Sequence, residues 1–182
     1  MSNVKVICIS GKARSGKDTS ADIMRKILWG DGKRVLIIHY ADLVKYMCKT
    51  LFGWNGQKDE YGRHLLQYVG TDVVRAQNPN YWVDYVIGVA KMFDGLWDYI
   101  IVPDTRFPNE IAGFKDSGFD VVHMRIVREA EHDNPLTDEQ KKHPSECALD
   151  DTIPDTYIYN NGDIVDLTRE LIKFRMQMLP PV

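Results

Sequence analysis

An apolar run near the start of the chain, Val4-Lys5-Val6-Ile7-Cys8-Ile9-Ser10, leads directly into Gly11-Lys12-Ala13-Arg14-Ser15-Gly16-Lys17-Asp18-Thr19. Beyond it Ile23, Met24, Ile27 and Leu28 recur at helical spacing. Strand, glycine loop, helix is a restrictive order. The glycines let the chain turn tightly, and the helix start offers unpaired N–H groups and the positive end of its dipole to an anion. The spacing G-x-x-x-x-G-K is that of a phosphate-binding loop, whose amides cradle phosphates while the lysine reaches the outer ones. Accident produces two glycines and a lysine at this spacing in roughly one chain in twenty of this length, so the flanking strand and helix carry the argument. One position departs from the pattern: Asp18 follows the lysine where Ser or Thr is usual.

The rest of the chain alternates in the same way. Strand-like runs rich in β-branched and aromatic residues are Val35 to Tyr40, Tyr99 to Val102, Val121 to Val127 and Thr156 to Asn160. Helical periodicity marks Leu43 to Phe52, His64 to Gln77, Tyr81 to Phe93, Asn109 to Asp116 and Asp163 to Met178. Such alternation predicts an α/β fold: three layers, α/β/α, around a five-stranded, mainly parallel sheet. No repeat or linker divides residues 1–182, which reads as one domain. The long polar stretch Arg128 to Asp151, carrying Pro135 and Pro144, exceeds an ordinary connection and is expected to be a lid.

A net charge of −3 provides no basic field for nucleic acid or an anionic membrane. Cys8, Cys48 and Cys147 are odd in number and widely spaced, which favours neither a disulfide framework nor a zinc site and suits a reducing cytoplasm. Met1 to Ser10 is too short for a signal peptide, and no apolar run is long enough to span a bilayer. The five histidines make no spacing typical of a metal or a nucleophile triad.

A lysine on phosphates calls for a magnesium ligand from the end of a neighbouring strand. Asp104, after Tyr99 to Val102 and Pro103, can supply it, or can simply cap the turn into the next helix. Arg106 favours the first reading, because an arginine two residues past a strand-end carboxylate can fork onto a phosphate. Glu110 follows at the start of the next helix and, with Asp104, is a further candidate for the substrate side of the site.

At this point the sequence resembles the bacteriophage deoxynucleoside monophosphate kinases of the P-loop nucleoside monophosphate kinase group. The loop GKARSGKDT, with its Asp after the Lys, is similar to theirs and to that of animal phosphomevalonate kinases. Similar too are Ala41-Asp42-Leu43-Val44-Lys45, Leu66-Gln67-Tyr68-Val69-Gly70-Thr71-Asp72, Tyr81-Trp82-Val83 and Asp98-Tyr99-Ile100-Ile101-Val102-Pro103-Asp104-Thr105-Arg106, in the same order. The segment His143-Pro144-Ser145-Glu146-Cys147-Ala148-Leu149-Asp150 resembles the phosphomevalonate kinases as much as the phage enzymes. Asn160-Asn161-Gly162 looks like a turn that contacts adenine in related kinases, which would give Asn160 and Gly162 to the cofactor. On its own it is an ordinary turn signal.

The resemblance implies a P-loop kinase fold with a lid and transfer of the γ-phosphoryl group of Mg·ATP to a (deoxy)nucleoside 5′-monophosphate, in the supply of DNA precursors. ATP would lie on Ala13, Ser15, Gly16, Lys17, Asp18 and Thr19, and Mg²⁺ on Asp18 and Asp104. Positive charge for the acceptor phosphate would come from Arg14, Lys45, Arg75 and Arg106; Gln67 and Trp82 are candidates for the base and sugar. Lys45 can equally be solvated and Trp82 core. Arg125 and Arg128 flank the start of the lid, and Arg128 is the expected catalytic arginine beside Lys17, Arg14 and Arg106. Partners are small nucleotides, not nucleic acid or membrane, with room left for a homodimer. The alternatives are a kinase of the same fold acting on phosphomevalonate or dephospho-coenzyme A, and an ATP-sensing module without turnover.

Overall fold

A computed structural model describes residues 4–129 and 136–179. The sheet has five parallel strands, β1 (Lys5–Ser10), β2 (Val35–Ile37), β3 (Tyr99–Val102), β4 (Asp120–Val127) and β5 (Thr156–Tyr159), in the order β2-β3-β1-β4-β5. β1 is central, so the glycine loop leaves the sheet between the ends of β3 and β4. That is where neighbouring connections diverge and a crevice opens at the carboxyl edge.

Residues of β1, with Val4 just before it, alternate between two cores. Val4, Val6 and Cys8 face the helices α2 (Ala41–Phe52), α4 (Tyr81–Met92) and α5 (Pro108–Asp116), packing with Val44, Val83, Val86 and Phe114. Ile7 and Ile9 face α1 (Lys17–Gly30) and α8 (Ile164–Met178), packing with Met24, Leu28, Leu171 and Phe174. A parallel sheet covered on both sides needs apolar residues on both faces of its strands. The runs VICI and YIIV meet that need, and the three layers follow.

Several boundaries differ from those expected. β2 stops at Ile37, since Ile38 still pairs with Ile101 but His39 and Tyr40 turn toward the crevice. The expected helix His64 to Gln77 divides into α3 (Glu60–Gln67), capped by Asp59 through Gly62 N (2.7 Å), and a π-helical segment, Tyr68–Arg75. This wider winding carries the chain through Gly70, whose carbonyl accepts the Trp82 indole N–H at 2.8 Å. Of the expected lid, residues 130–135 lie outside those described, and with them Pro135 and His132. The remainder holds two short helices, α6 (Asp138–Lys142) and α7 (Pro144–Cys147), where the sequence had suggested only a loop. Thr137 and His143 cap them.

Candidate active site

The glycine loop is shaped by two close approaches. Gly11, at φ 146°, leaves no space for a side chain: a Cβ would stand 2.5 Å from the Ile126 carbonyl oxygen and 2.7 Å from Ser15 Oγ. Gly16, at φ 100°, begins α1 and would clash with the Asn160 amide. Asn160 is buried and donates from Nδ2 to the Ser15 carbonyl at 2.8 Å. Its side chain therefore holds the loop from the end of β5.

Lys17 Nζ folds back onto the carbonyls of Gly11 (2.7 Å) and Lys12 (2.8 Å). Burial, and then the Arg106 guanidinium, push its ammonium down to about 8. Ser15 Oγ, in the wall of the cavity beside the loop, is buried without a hydrogen-bond partner. A half-buried ammonium answered only by carbonyls, a second cation nearby, an orphaned hydroxyl and a backbone that excludes side chains together suit a bound polyphosphate.

Two cavities meet at this point. The first, of about 350 Å³, lies between the loop (Gly11 to Ser15), the end of β4 with Arg125 and Arg128, and α7. The second, of about 180 Å³, runs under α2, α3 and the π-helical segment and is lined by Lys45, Lys58, Arg63, Gln67, Arg75, Trp82, Asp104 and Glu110, among others. Arg106, Ser145 and Glu146 line both. Half-buried Lys17 and exposed Asp18 and Thr19, at the start of α1, lie outside both linings.

Asp104 caps a helix, but a different one from that expected. Its carboxylate accepts from Tyr40 N (3.0 Å) and Ala41 N (2.9 Å), at the start of α2 and more than sixty residues earlier in the chain. Asp18 lies 3.8 Å from His39 Nε2, and His39 Nδ1 lies 3.3 Å from Asp42. The nearness of the two groups draws Asp18 below the usual carboxylate range and His39 above its own. Among the described residues no cluster of three or more His, Cys, Asp or Glu side chains is arranged to hold a metal. Magnesium, which keeps waters and uses one or two carboxylates with substrate phosphates, does not require one. The donor set fits such an ion only alongside phosphates.

Arg75 and Glu110 form a buried pair at 2.6 Å. Arg75 also reaches Asn109 and Pro79 and lies 3.9 Å over the Phe107 ring, so most of its donors are committed. Glu110 further accepts from the backbone of Arg106 (2.6 Å) and Phe107 (3.1 Å). Burial pushes its carboxyl up to about 7 against the pull of Arg75. The pair thus fixes the turn that presents Arg106. Trp82 is 2 % exposed, its N–H already used. Lys45 pairs with Asp42 at 3.0 Å, and Gln67 is half-buried in the cavity wall. Arg14 stands at φ 59° in the rim of the first cavity, as does exposed Arg128. Arg125 instead turns to the carbonyls of Leu149 (2.5 Å) and Thr152 (2.8 Å). Gly162 adjoins the capping residue of α8, Asp163.

No local signal in the sequence assigns a role to Lys12, His39, Tyr40 or Lys58, and Ser145 and Glu146 stand out there only within the segment His143 to Asp150. Lys12 pairs with Asp150 at 2.5 Å and with the Glu146 carbonyl at 2.7 Å.

A parallel five-stranded sheet with a phosphate loop at its centre defines a P-loop kinase fold, and solved structures of that class superpose on nearly the whole chain. The dephospho-CoA kinase of Campylobacter jejuni gives a TM-score of 0.56 at 13 % identity, covering 97 % of this chain and 98 % of that one. The APS kinase of Mycobacterium tuberculosis in complex with AMPPNP and APS gives 0.53 at 14 % identity, covering 95 % and 98 %. Within this class, the model of the deoxynucleotide monophosphate kinase family matches residues 38–171, and the chain belongs to that family. The deoxynucleotide monophosphate kinase of Enterobacteria phage T4 is 31 % identical over 116 residues, 62 % of this chain and 45 % of the phage protein. That of Escherichia phage RB69 is 30 % identical over 113 residues, covering 61 % and 43 %. The chain thus spans less than half the length of these relatives in the matched regions. The phosphomevalonate kinase of Drosophila melanogaster is 26 % identical over 191 residues, covering 96 % of this chain and 98 % of that one. Among the described residues no helix is long and apolar enough to cross a membrane.

Proposed function

We propose that this protein transfers the γ-phosphoryl group of Mg·ATP to a deoxynucleoside 5′-monophosphate. The observation that carries the reading is the junction at Arg106, which lines both cavities and so can face a donor phosphate and an acceptor phosphate at once. Membership of the deoxynucleotide monophosphate kinase family supports the choice of acceptor.

In this account the loop amides, Lys17 and Ser15 hold the donor phosphates, and Thr19 lies near the α-phosphate. Asp18 and Asp104 would hold Mg²⁺, which would supply neutralisation of the negative charge on the donor phosphates. Arg106 and Arg14 hold the acceptor phosphate. Lys45 and Arg63 add positive charge along the second cavity, while Gln67 offers its amide to a base edge. Arg75 contributes through Glu110 and the turn they fix, not through a free fork. Arg128 approaches from the end of β4, and residues 136–151 serve as the described part of a lid. The acceptor phosphate oxygen is itself the nucleophile, so no general base is required. Catalysis is positioning together with cations that follow the charge as it develops.

The near full-length likeness to a phosphomevalonate kinase makes that acceptor the principal rival. ADP formation from ATP and Mg²⁺ should be followed over a panel of ribo- and deoxyribonucleoside monophosphates, phosphomevalonate and dephospho-coenzyme A. Turnover with deoxynucleotides is expected; turnover with phosphomevalonate alone would replace the acceptor and leave the donor site in place.

A further inference from the structure

Three cations from three different elements converge on the segment Pro144 to Thr152. Lys12, in the glycine loop, binds the Glu146 carbonyl and the Asp150 carboxylate. Arg106, past β3, binds the Ser145 carbonyl at 2.8 Å and the Glu146 carboxylate. Arg125, in β4, binds the carbonyls of Leu149 and Thr152. On the other side His143 anchors the segment to Asp72 of the π-helical stretch at 3.2 Å. Every partner presented to these cations is an oxygen, and two of them are carboxylates. Glu146 has a side chain only 7 % exposed and lies where the two cavities meet.

A carboxylate on a guanidinium is chemically close to a phosphate on a guanidinium: each can accept a pair of charge-assisted hydrogen bonds from the planar fork. A phosphate arriving at Arg106 would stand beside Glu146, and like charges held close in a half-buried site repel. One of the two must yield.

We propose that Glu146 is a positioning residue that holds Arg106 at the junction of the two cavities in the free protein and is displaced from it by substrate phosphate. Asp150 does the same, more weakly, for Lys12. The segment carrying both carboxylates thereby neutralises the site when it is empty and is released by the charge of the nucleotide. This rests on the phosphate-binding reading of the glycine loop.

Binding of inorganic tripolyphosphate, measured by calorimetry without metal or nucleotide, separates the two claims. The wild-type protein should bind it, and Glu146→Gln, which keeps the shape and removes the charge, should bind it about tenfold more tightly. Asp150→Asn should strengthen binding about two- to threefold, because the Lys12–Asp150 pair is exposed. Loss of a purely structural contact would not raise affinity. Unchanged or weaker binding by a folded Glu146→Gln protein overturns the proposal. Should that variant not fold, unchanged or weaker binding by Asp150→Asn does so. Failure of the folded wild-type protein to bind tripolyphosphate overturns the phosphate-loop reading and the proposal with it.

Discussion

At the scale of single residues, phosphate binding turns on Lys17, a half-buried ammonium with carbonyls for partners. Lys17→Ala should lower transfer at least about a thousandfold, the loss of a charged group aimed at phosphates in a water-poor site. It should leave the fold intact, because the lysine's carbonyl partners, Gly11 and Lys12, lie within its own loop. A steady-state assay beside a thermal melt checks both; turnover near wild type would contradict the role. The loop, Lys17, Asp104 and Arg106 were legible in the sequence, since each sits at a fixed offset from a strand end or a glycine. Asn160 on Ser15 and Glu146 on Arg106 were not. Those contacts join residues 145 and 40 positions apart, and no local period signals a pair of that kind. His39 was set aside for lack of a metal spacing, yet the fold brings it between Asp18 and Asp42 from the end of β2.

At the scale of elements, α4 and α5 pack closely enough that Gly113 decides their approach. A Cβ there would lie 2.5 Å from Val83 Cγ1 and 3.1 Å from Ile87 Cδ1. Gly to Ala in a helix gains up to about 1 kcal/mol in propensity, while overpacking costs about 1–3 kcal/mol. Val83 is β-branched and stiff at χ1 inside a helix, so it yields poorly. Overpacking should win: Gly113→Ala is expected to destabilise by about 1 kcal/mol in chemical denaturation, and a gain in stability would show that the helices part easily. The elements themselves were largely readable, because their periods of 2 and 3.6 are written in the apolar residues. The π-helical winding over Tyr68–Arg75 was not, since its apolar spacing is that of any helix and its course depends on Trp82 reaching the Gly70 carbonyl.

At the scale of the molecule, the sheet order places β1 between β3 and β4 and so assembles the site from four connections. The alternation of strands and helices implied a parallel sheet, but which strand lies central is settled by packing on both faces. The same sheet buries His123, 2 % exposed, with Nε2 at 2.7 Å from Ser10 Oγ. Burial, then Arg125, hold it down at about 4. Below pH 6.5 the unfolded chain binds a proton here that the folded protein refuses until about pH 4, so stability present above pH 6.5 is lost as the pH falls through that window. The loss is on the order of 3 kcal/mol. Denaturant titrations from pH 7 to 4 should show a shallower decline for His123→Gln than for wild type; equal slopes would mean that His123 does not titrate apart from the unfolded chain.

The central claim is that the γ-phosphoryl group of ATP passes directly to a deoxynucleoside 5′-monophosphate. Phosphorus magnetic resonance of ATP, Mg²⁺ and a deoxynucleoside monophosphate mixed with the protein tests it most directly. The account predicts that the β-phosphate signal of a deoxynucleoside diphosphate grows in step with ADP; ADP accompanied only by inorganic phosphate, or no change in the ATP signals, would contradict it.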